Sequence, residues 1–148
     1  MNRKISAILL SIMIIAFGTN FIWEKLQIVL YKDYETFIAR LPLPVALYTT
    51  LVDTGIVLAI YLFIAVTSKN LFWVQSIKAR HIWQSMLIGI IISTIIEWHA
   101  LVQGQWAYNE AMPIIPLLQV GLSPILQMII LPLVSFSIGF LINKKINK

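Results

Sequence analysis

The stretch IWQSMLIGIIISTIIEWHA, Ile82 to Ala100, decides the fold. As a helix rising ~1.5 Å per residue it is long enough to cross a hydrocarbon core of ~30 Å. Yet it ends on Glu97 and His99, with Gln103 and Gln105 just beyond. A bilayer penalises such groups, so the segment reads as a membrane span that brings a polar site to one end.

Composition agrees. Of 148 residues, 59% are hydrophobic and 11% charged, against about 45–50% and about 25% in soluble domains. Mean hydropathy is positive. With no cysteine, disulfides, thiol redox pairs and Cys-based metal sites are excluded. The net charge of +5 does not point to nucleic acid, because the basic residues fall in short clusters between apolar runs rather than along one face.

Three further runs are long enough to span: about 5–23, 45–66 and 115–142. The second is introduced by Leu41-Pro42-Leu43-Pro44, which starts a helix rather than interrupting one. The fourth contains Pro124 and Pro132, which should kink it and free carbonyls that need partners in the bundle. The expectation is an all-α polytopic membrane protein, residues 1–148 forming a single domain of four transmembrane helices. Asn2-Arg3-Lys4 before the first run resembles the start of a signal peptide. However, the apolar stretch exceeds the usual ~7–15 residues and no A-x-A site follows it, so it reads as a retained span.

Eight basic residues, Arg3, Lys4, Lys69, Lys78, Arg80, Lys144, Lys145 and Lys148, lie on one side, against Lys25, Lys32 and Arg40 on the other. The positive-inside rule then puts both termini in the cytoplasm, and the inner membrane is the expected location. All six acidic residues fall on the outer side or in a span. Trp23, Tyr31, Tyr34, Trp98, Trp106 and Tyr108 form an outer aromatic belt, with Trp73 and Trp83 an inner one. Leu26 to Arg40 suits a helix lying on the outer surface, and Asn70 to Arg80 a similar segment inside.

The helical rise places Glu97 about 22 Å along its span and Asp53 about 12 Å down from the opposite entry. Glu24 closes the first span and Gln119 opens the fourth. Asn20, Thr49 and Ser93 stand four residues before Glu24, Asp53 and Glu97, on the same helical faces. Four helices thus bring polar groups to roughly one level. Ionisable groups inside spans are costly and face the bundle interior, so Glu97, Asp53, His99 and Glu24 are the candidate catalytic residues. Trp98, Trp106, Tyr108, Gln119, Asn20 and Gln103 are the candidate substrate contacts. The bland readings are a hydrogen-bonded buried Asp53, a solvated Glu24 beside Lys25, an interfacial His81, and belt anchors at Trp106 and Tyr108.

Carboxyl groups in such a setting suit proton transfer. Glu97 and His99 share no face of a regular helix, unless the helix ends near Trp98 and Gly104 turns the chain back. One imidazole and no H-E-x-x-H make a metal site a weak reading, and none is assigned. A bis-histidine haem fails because His81 and His99 lie at opposite faces, and no cofactor is expected. There is no P-loop, G-x-G-x-x-G, G-x-S-x-G or Ser-Lys pair. Gly104 to Pro116 reads as a short lid over the outer mouth, stiffened by Pro113 and Pro116. Gly121 and Pro124 serve packing.

Trp23-Glu24 with Gln27, Trp106 and Tyr108 with Met112-Pro113 and Pro116, then Gly121-Leu122, Pro124, Gln127 and Leu131-Pro132, carry a resemblance. Through them the chain resembles an uncharacterised family of small four-span bacterial inner-membrane proteins. That resemblance implies a membrane location and no activity. Three functions stay open. One is an acid–base isomerase, hydratase or cyclase acting on a lipid or isoprenoid. The second is a proton- or cation-linked transport or binding component, and the third a non-catalytic assembly factor. Membrane lipids and a lipid-like small molecule are the expected partners, and a homo-oligomer stays open.

Overall fold

The computed structural model describes residues 3–32 and 44–146. Four helices dominate it: α1 (Arg3–Gln27), α2 (Val45–Thr67), α3 (Ala79–Val102) and α4 (Leu122–Ile146). Each is long and apolar enough to cross a membrane. The chain is a multi-pass membrane protein. The expected surface helix reaching Arg40 falls largely outside the described residues, as do Asp33, Tyr34, Glu35 and Pro42.

Packing runs round the bundle in the order α2, α1, α4, α3. Contact is close between α1 and α4, α1 and α2, and α3 and α4, and lighter between α2 and α3. The bundle therefore has a seam between α2 and α3. The core fills the half away from Glu97. Ile5, Ile8, Ile12 and Ala16, spaced three and four apart, put one stripe of α1 against Val57, Ile60, Tyr61 and Ile64 of α2 and Phe136 of α4. That spacing is the helical repeat that buries one face.

Trp73 was expected in an aromatic belt, on a segment lying along the surface. It is instead 1% exposed, held by a short 3-10 turn, Trp73–Ser76. Its Nε1 donates to the Tyr61 carbonyl at 3.2 Å, and its ring meets Phe136 and His81 at centroid distances of 5.1 Å each. The Tyr61 hydroxyl donates back to the Leu71 carbonyl. With its one N–H satisfied, the indole can plug the end of the bundle. His81, expected at the interface, is buried beneath it. Trp83 is exposed, as a belt residue would be.

The fourth span starts later than expected. Residues 114–121 form a hairpin in which β3 (Ile114–Ile115) pairs antiparallel with β4 (Val120–Gly121), and Gln119 takes a positive φ of 56° in its turn. Pro113 and Pro116 supply no N–H, and the Leu122 N–H is spent on the Pro113 carbonyl at 2.7 Å, so the helix begins at Leu122. Pro124 then stands in the first turn, where a missing N–H costs nothing. Only Pro132 lies inside the helix. It offers no N–H to the Met128 carbonyl four residues back. That carbonyl packs against Gly89 of α3, where any Cβ would stand 2.2 Å from its oxygen. The freed carbonyl thus faces a position that only glycine leaves open.

A second strand pair sits at the Glu97 end. β1 (Tyr31–Lys32), just after α1, pairs antiparallel with β2 (Ala107–Tyr108), with Tyr31 opposite Tyr108. Asn109 fastens it, its N–H donating to the Leu30 carbonyl at 3.0 Å and its side chain to that of Val29. The all-α expectation holds for the spans. Strands of two residues are too short to show the alternation that marks a strand.

Candidate functional site

Gln127 of α4 sits at the centre of the polar level. Its Nε2 lies 2.8 Å from Asp53 Oδ2, 3.0 Å from Glu24 Oε1 and 2.9 Å from Asn20 Oδ1. One amide thereby reaches both α1 and α2. Its own Oε1 accepts from Gln27 Nε2 at 3.0 Å, and Gln27 Nε2 also approaches Glu24 Oε1 at 2.5 Å. Gln27 Oε1 in turn accepts from Trp23 Nε1 at 3.1 Å and the Ser123 hydroxyl at 2.9 Å. Asp53 and Glu24 thus meet at one amide nitrogen. Glu24 is therefore not the solvated carboxylate its neighbour Lys25 suggested. It is buried, because a helix turn carries it onto the same face as Asn20.

Glu97 forms a second acid centre from α3. It is buried and is the acceptor in every hydrogen bond it makes. Tyr108 donates to Oε2 at 2.5 Å, Trp106 Nε1 to the same oxygen at 3.3 Å, and the Tyr31 hydroxyl reaches Oε1 at 3.5 Å. The strand pair explains this convergence: its register sets Tyr31 beside Tyr108, with ring centroids 5.6 Å apart, and Trp106 meets Tyr31 edge-on at 6.0 Å. Burial, with the Glu97 carboxylate close by, pushes both tyrosine hydroxyls well above their usual range. They therefore stay protonated and donate.

Both centres face one cavity of about 450 Å³. Glu24, Asp53, Glu97, Gln27, Gln127 and Ser93 give it polar groups. Val45, Val52, Ile56, Ile96 and Met128 give it apolar wall, and Tyr31, Tyr48 and Trp106 aromatic wall. Tyr48 and Val52 of α2 and Ile96 of α3 line the cavity while remaining 36–41% exposed. The cavity thus reaches the surface along the light seam between α2 and α3, at the level of the lipid-facing side chains.

The structure brings Glu24, Asp53, Glu97, Trp106 and Tyr108 together, with Asn20 behind Gln127. Four other expected residues lie elsewhere. Helix α3 runs unbroken to Val102, so His99 stays on its far, exposed side. Trp98 is 47% exposed and caps the hairpin, its Nε1 donating to the Leu118 carbonyl at 2.6 Å. Gln103 follows the end of α3, exposed. Gln119 turns out of the bundle with the hairpin and bonds the Pro116 carbonyl at 2.5 Å. The fourth helix therefore contributes Gln127, not Gln119. Gln127, Gln27 and Tyr31 were missed as site residues. The signal available was the placing of Gln27 four residues after Trp23 and three after Glu24, which continues the polar face of α1. Among the described residues no three His, Cys, Asp or Glu side chains could hold a metal ion together.

Fold and site together define a four-helix multi-pass membrane protein with a carboxyl-lined cavity at one end of its bundle. The chain matches no protein-family model, no curated protein and no solved structure, so the resemblance to a family of small bacterial inner-membrane proteins gains no support from these comparisons.

Proposed function

We propose that the protein is an intramembrane acid–base enzyme acting on an unsaturated lipid or isoprenoid. Its place is the inner membrane, with both termini cytoplasmic, as the eight-to-three split of basic residues favours. One observation carries the reading: Glu24, Asp53 and Glu97, from three helices, face a single cavity with an apolar wall and an opening at lipid level. Energetics favour use over mere glue. Placing an acidic side chain at the middle of a span costs roughly 2.5–3.5 kcal/mol, whereas an interhelical hydrogen bond in a membrane contributes about 0.6 kcal/mol on average. The bonds from Gln127 offset only part of burying two carboxyl groups.

Two carboxyl centres in different surroundings suit different roles. A proton carried by Asp53 or Glu24 is the one given to an alkene carbon. Glu97, an acceptor in all its contacts, takes a proton from the neighbouring carbon, and the double bond moves by one position. The proton on Glu97 returns to the Asp53–Glu24 pair before the next turnover, so nothing is consumed. Tyr31, Tyr108 and Trp106 orient the Glu97 carboxylate, and Gln127 orients Asp53.

The test is exchange in D2O. Purified protein in liposomes holding a polyprenyl alcohol should introduce deuterium at allylic carbons, read by mass spectrometry. Asp53→Asn and Glu97→Gln should each remove it while the proteins remain folded. No exchange above protein-free liposomes, across alkene lipids of several chain lengths, would defeat the catalytic reading. The interhelical position of Gln127 favours a second reading, an assembly role. There the same substitutions lower thermal stability and affect no ligand.

A further inference from the structure

We infer that the cavity recognises positive charge, and that its ligand is a single-chain amphiphile whose cationic group lies among Asp53, Glu97 and Ser93 with its chain leaving through the seam between α2 and α3. This deepens the proposed function, on which it rests for the identity of the site. An alkene that accepts a proton becomes a cation, and an ammonium head is the stable counterpart of that charge.

Charge is the first ground. Three carboxyl groups line the cavity, and among the described lining residues there is no lysine, arginine or histidine to balance them. An anionic ligand would meet only repulsion, and a cationic one gains an attraction to the carboxyl groups that a neutral one lacks. The aromatic wall is the second ground. Tyr31, Tyr48 and Trp106 present ring faces or edges to the same space, and electron-rich ring faces attract ammonium groups.

The third observation is independent of the acids. Ser93, one turn before Glu97, is 4% exposed and lines the cavity, yet its hydroxyl bonds no partner among the described residues. The other aliphatic hydroxyl on the cavity wall, that of Thr49, is satisfied by the Val45 carbonyl at 3.0 Å. A buried hydroxyl is rarely left unbonded, and an unbonded one aimed into a cavity is a contact waiting for a ligand. Finally, the seam sets the shape. Tyr48, Val52 and Ile96 are exposed where they border the cavity, so an apolar chain can lie between α2 and α3 with its far end among the lipids.

Calorimetry on the full chain in nanodiscs, corrected with empty nanodiscs, tests this using dodecyltrimethylammonium, dodecanol and dodecanoate. The ammonium compound should bind about tenfold tighter than dodecanol, with dodecanoate weakest. Asp53→Asn should remove the preference for charge and leave dodecanol binding in place. Val52→Trp, at the seam, should weaken all three. Dodecanol binding as tightly as the ammonium compound would overturn the inference, and so would an unchanged preference in Asp53→Asn. Should that variant fail to fold, the three head groups on the unaltered protein decide the matter alone. The binding series needs no chemistry. A charge preference without deuterium exchange therefore removes the catalytic reading only, and exchange without the preference removes this inference only.

Discussion

Gly89 and Met128 approach so closely that a Cβ on residue 89 would stand 2.2 Å from the Met128 carbonyl oxygen. The carbonyl is available for this contact because Pro132 withholds the N–H that would otherwise bond it. Helices α3 and α4 are thus locked together one layer below the cavity, since Met128 also lines it. Gly89→Ala should lower stability by about 1–3 kcal/mol, the usual range for overpacking. Pro132→Ala returns a partner to the carbonyl and lets it settle back. The double variant should therefore be more stable than the two single losses predict, by about 0.5 kcal/mol or more, as measured by thermal unfolding in detergent.

Gln127 is the only side chain of α4 that bonds carboxyl groups on both α1 and α2 among the described residues. Gln127→Leu keeps most of the volume but leaves Asp53 and Gln27 short of a partner. Each orphaned polar group costs about 1–3 kcal/mol. The variant should unfold at lower temperature and lose deuterium exchange together. Gln127→Glu, which cannot donate when ionised, should lose exchange as well.

The tyrosines facing Glu97 differ in reach, 2.5 Å for Tyr108 and 3.5 Å for Tyr31. A hydrogen bond to a charged group contributes about 1.5–3 kcal/mol at normal length and little when stretched. Tyr108→Phe should therefore reduce stability and exchange clearly more than Tyr31→Phe.

Those hydroxyls also set an alkaline limit. Their folded values lie above the ordinary 10.0, so in alkali the unfolded chain gives up protons that the folded chain keeps. Their contribution is complete below pH 10 and is lost as the pH rises towards the folded values, at up to about 1.4 kcal/mol per pH unit for Tyr31 and less for the half-buried, solvent-screened Tyr108. The combined Tyr31→Phe and Tyr108→Phe variant should show a shallower fall in stability above pH 10 than the unaltered protein. Equal slopes would mean that these hydroxyls ionise freely in the folded state.

How much of this could be read from residue order alone depended on the length of each signal. Runs of about twenty apolar residues announce spans, and Glu97, Asp53 and Glu24 stood out because charge inside such a run is rare. The same reasoning put Gln119 on the fourth helix, because its apolar pattern runs unbroken through the hairpin. The two prolines that stop the helix read as stiffening a loop, and Gln127, a neutral amide deep in a span, counts in the sequence only towards the family resemblance. Tyr31 passed for a belt residue since nothing local reveals its pairing with Tyr108, 77 positions later in the chain. Trp73 misled for a similar reason: its partner, the Tyr61 carbonyl, belongs to another element.

The absence of cysteine makes the decisive measurement a clean one. Cysteine pairs at 24 and 53, 53 and 127, and 53 and 97 would be treated with thiol cross-linkers of graded length in native membranes, with lipid-facing Leu62 and Leu87 as the control pair. The account predicts that the first two pairs join through the shortest reagent, that 53 and 97 join through one spanning the cavity, and that 62 and 87 do not join. Failure of both short pairs in folded protein, or linking no better than between 62 and 87, would contradict a shared cavity and remove the basis for any active centre here.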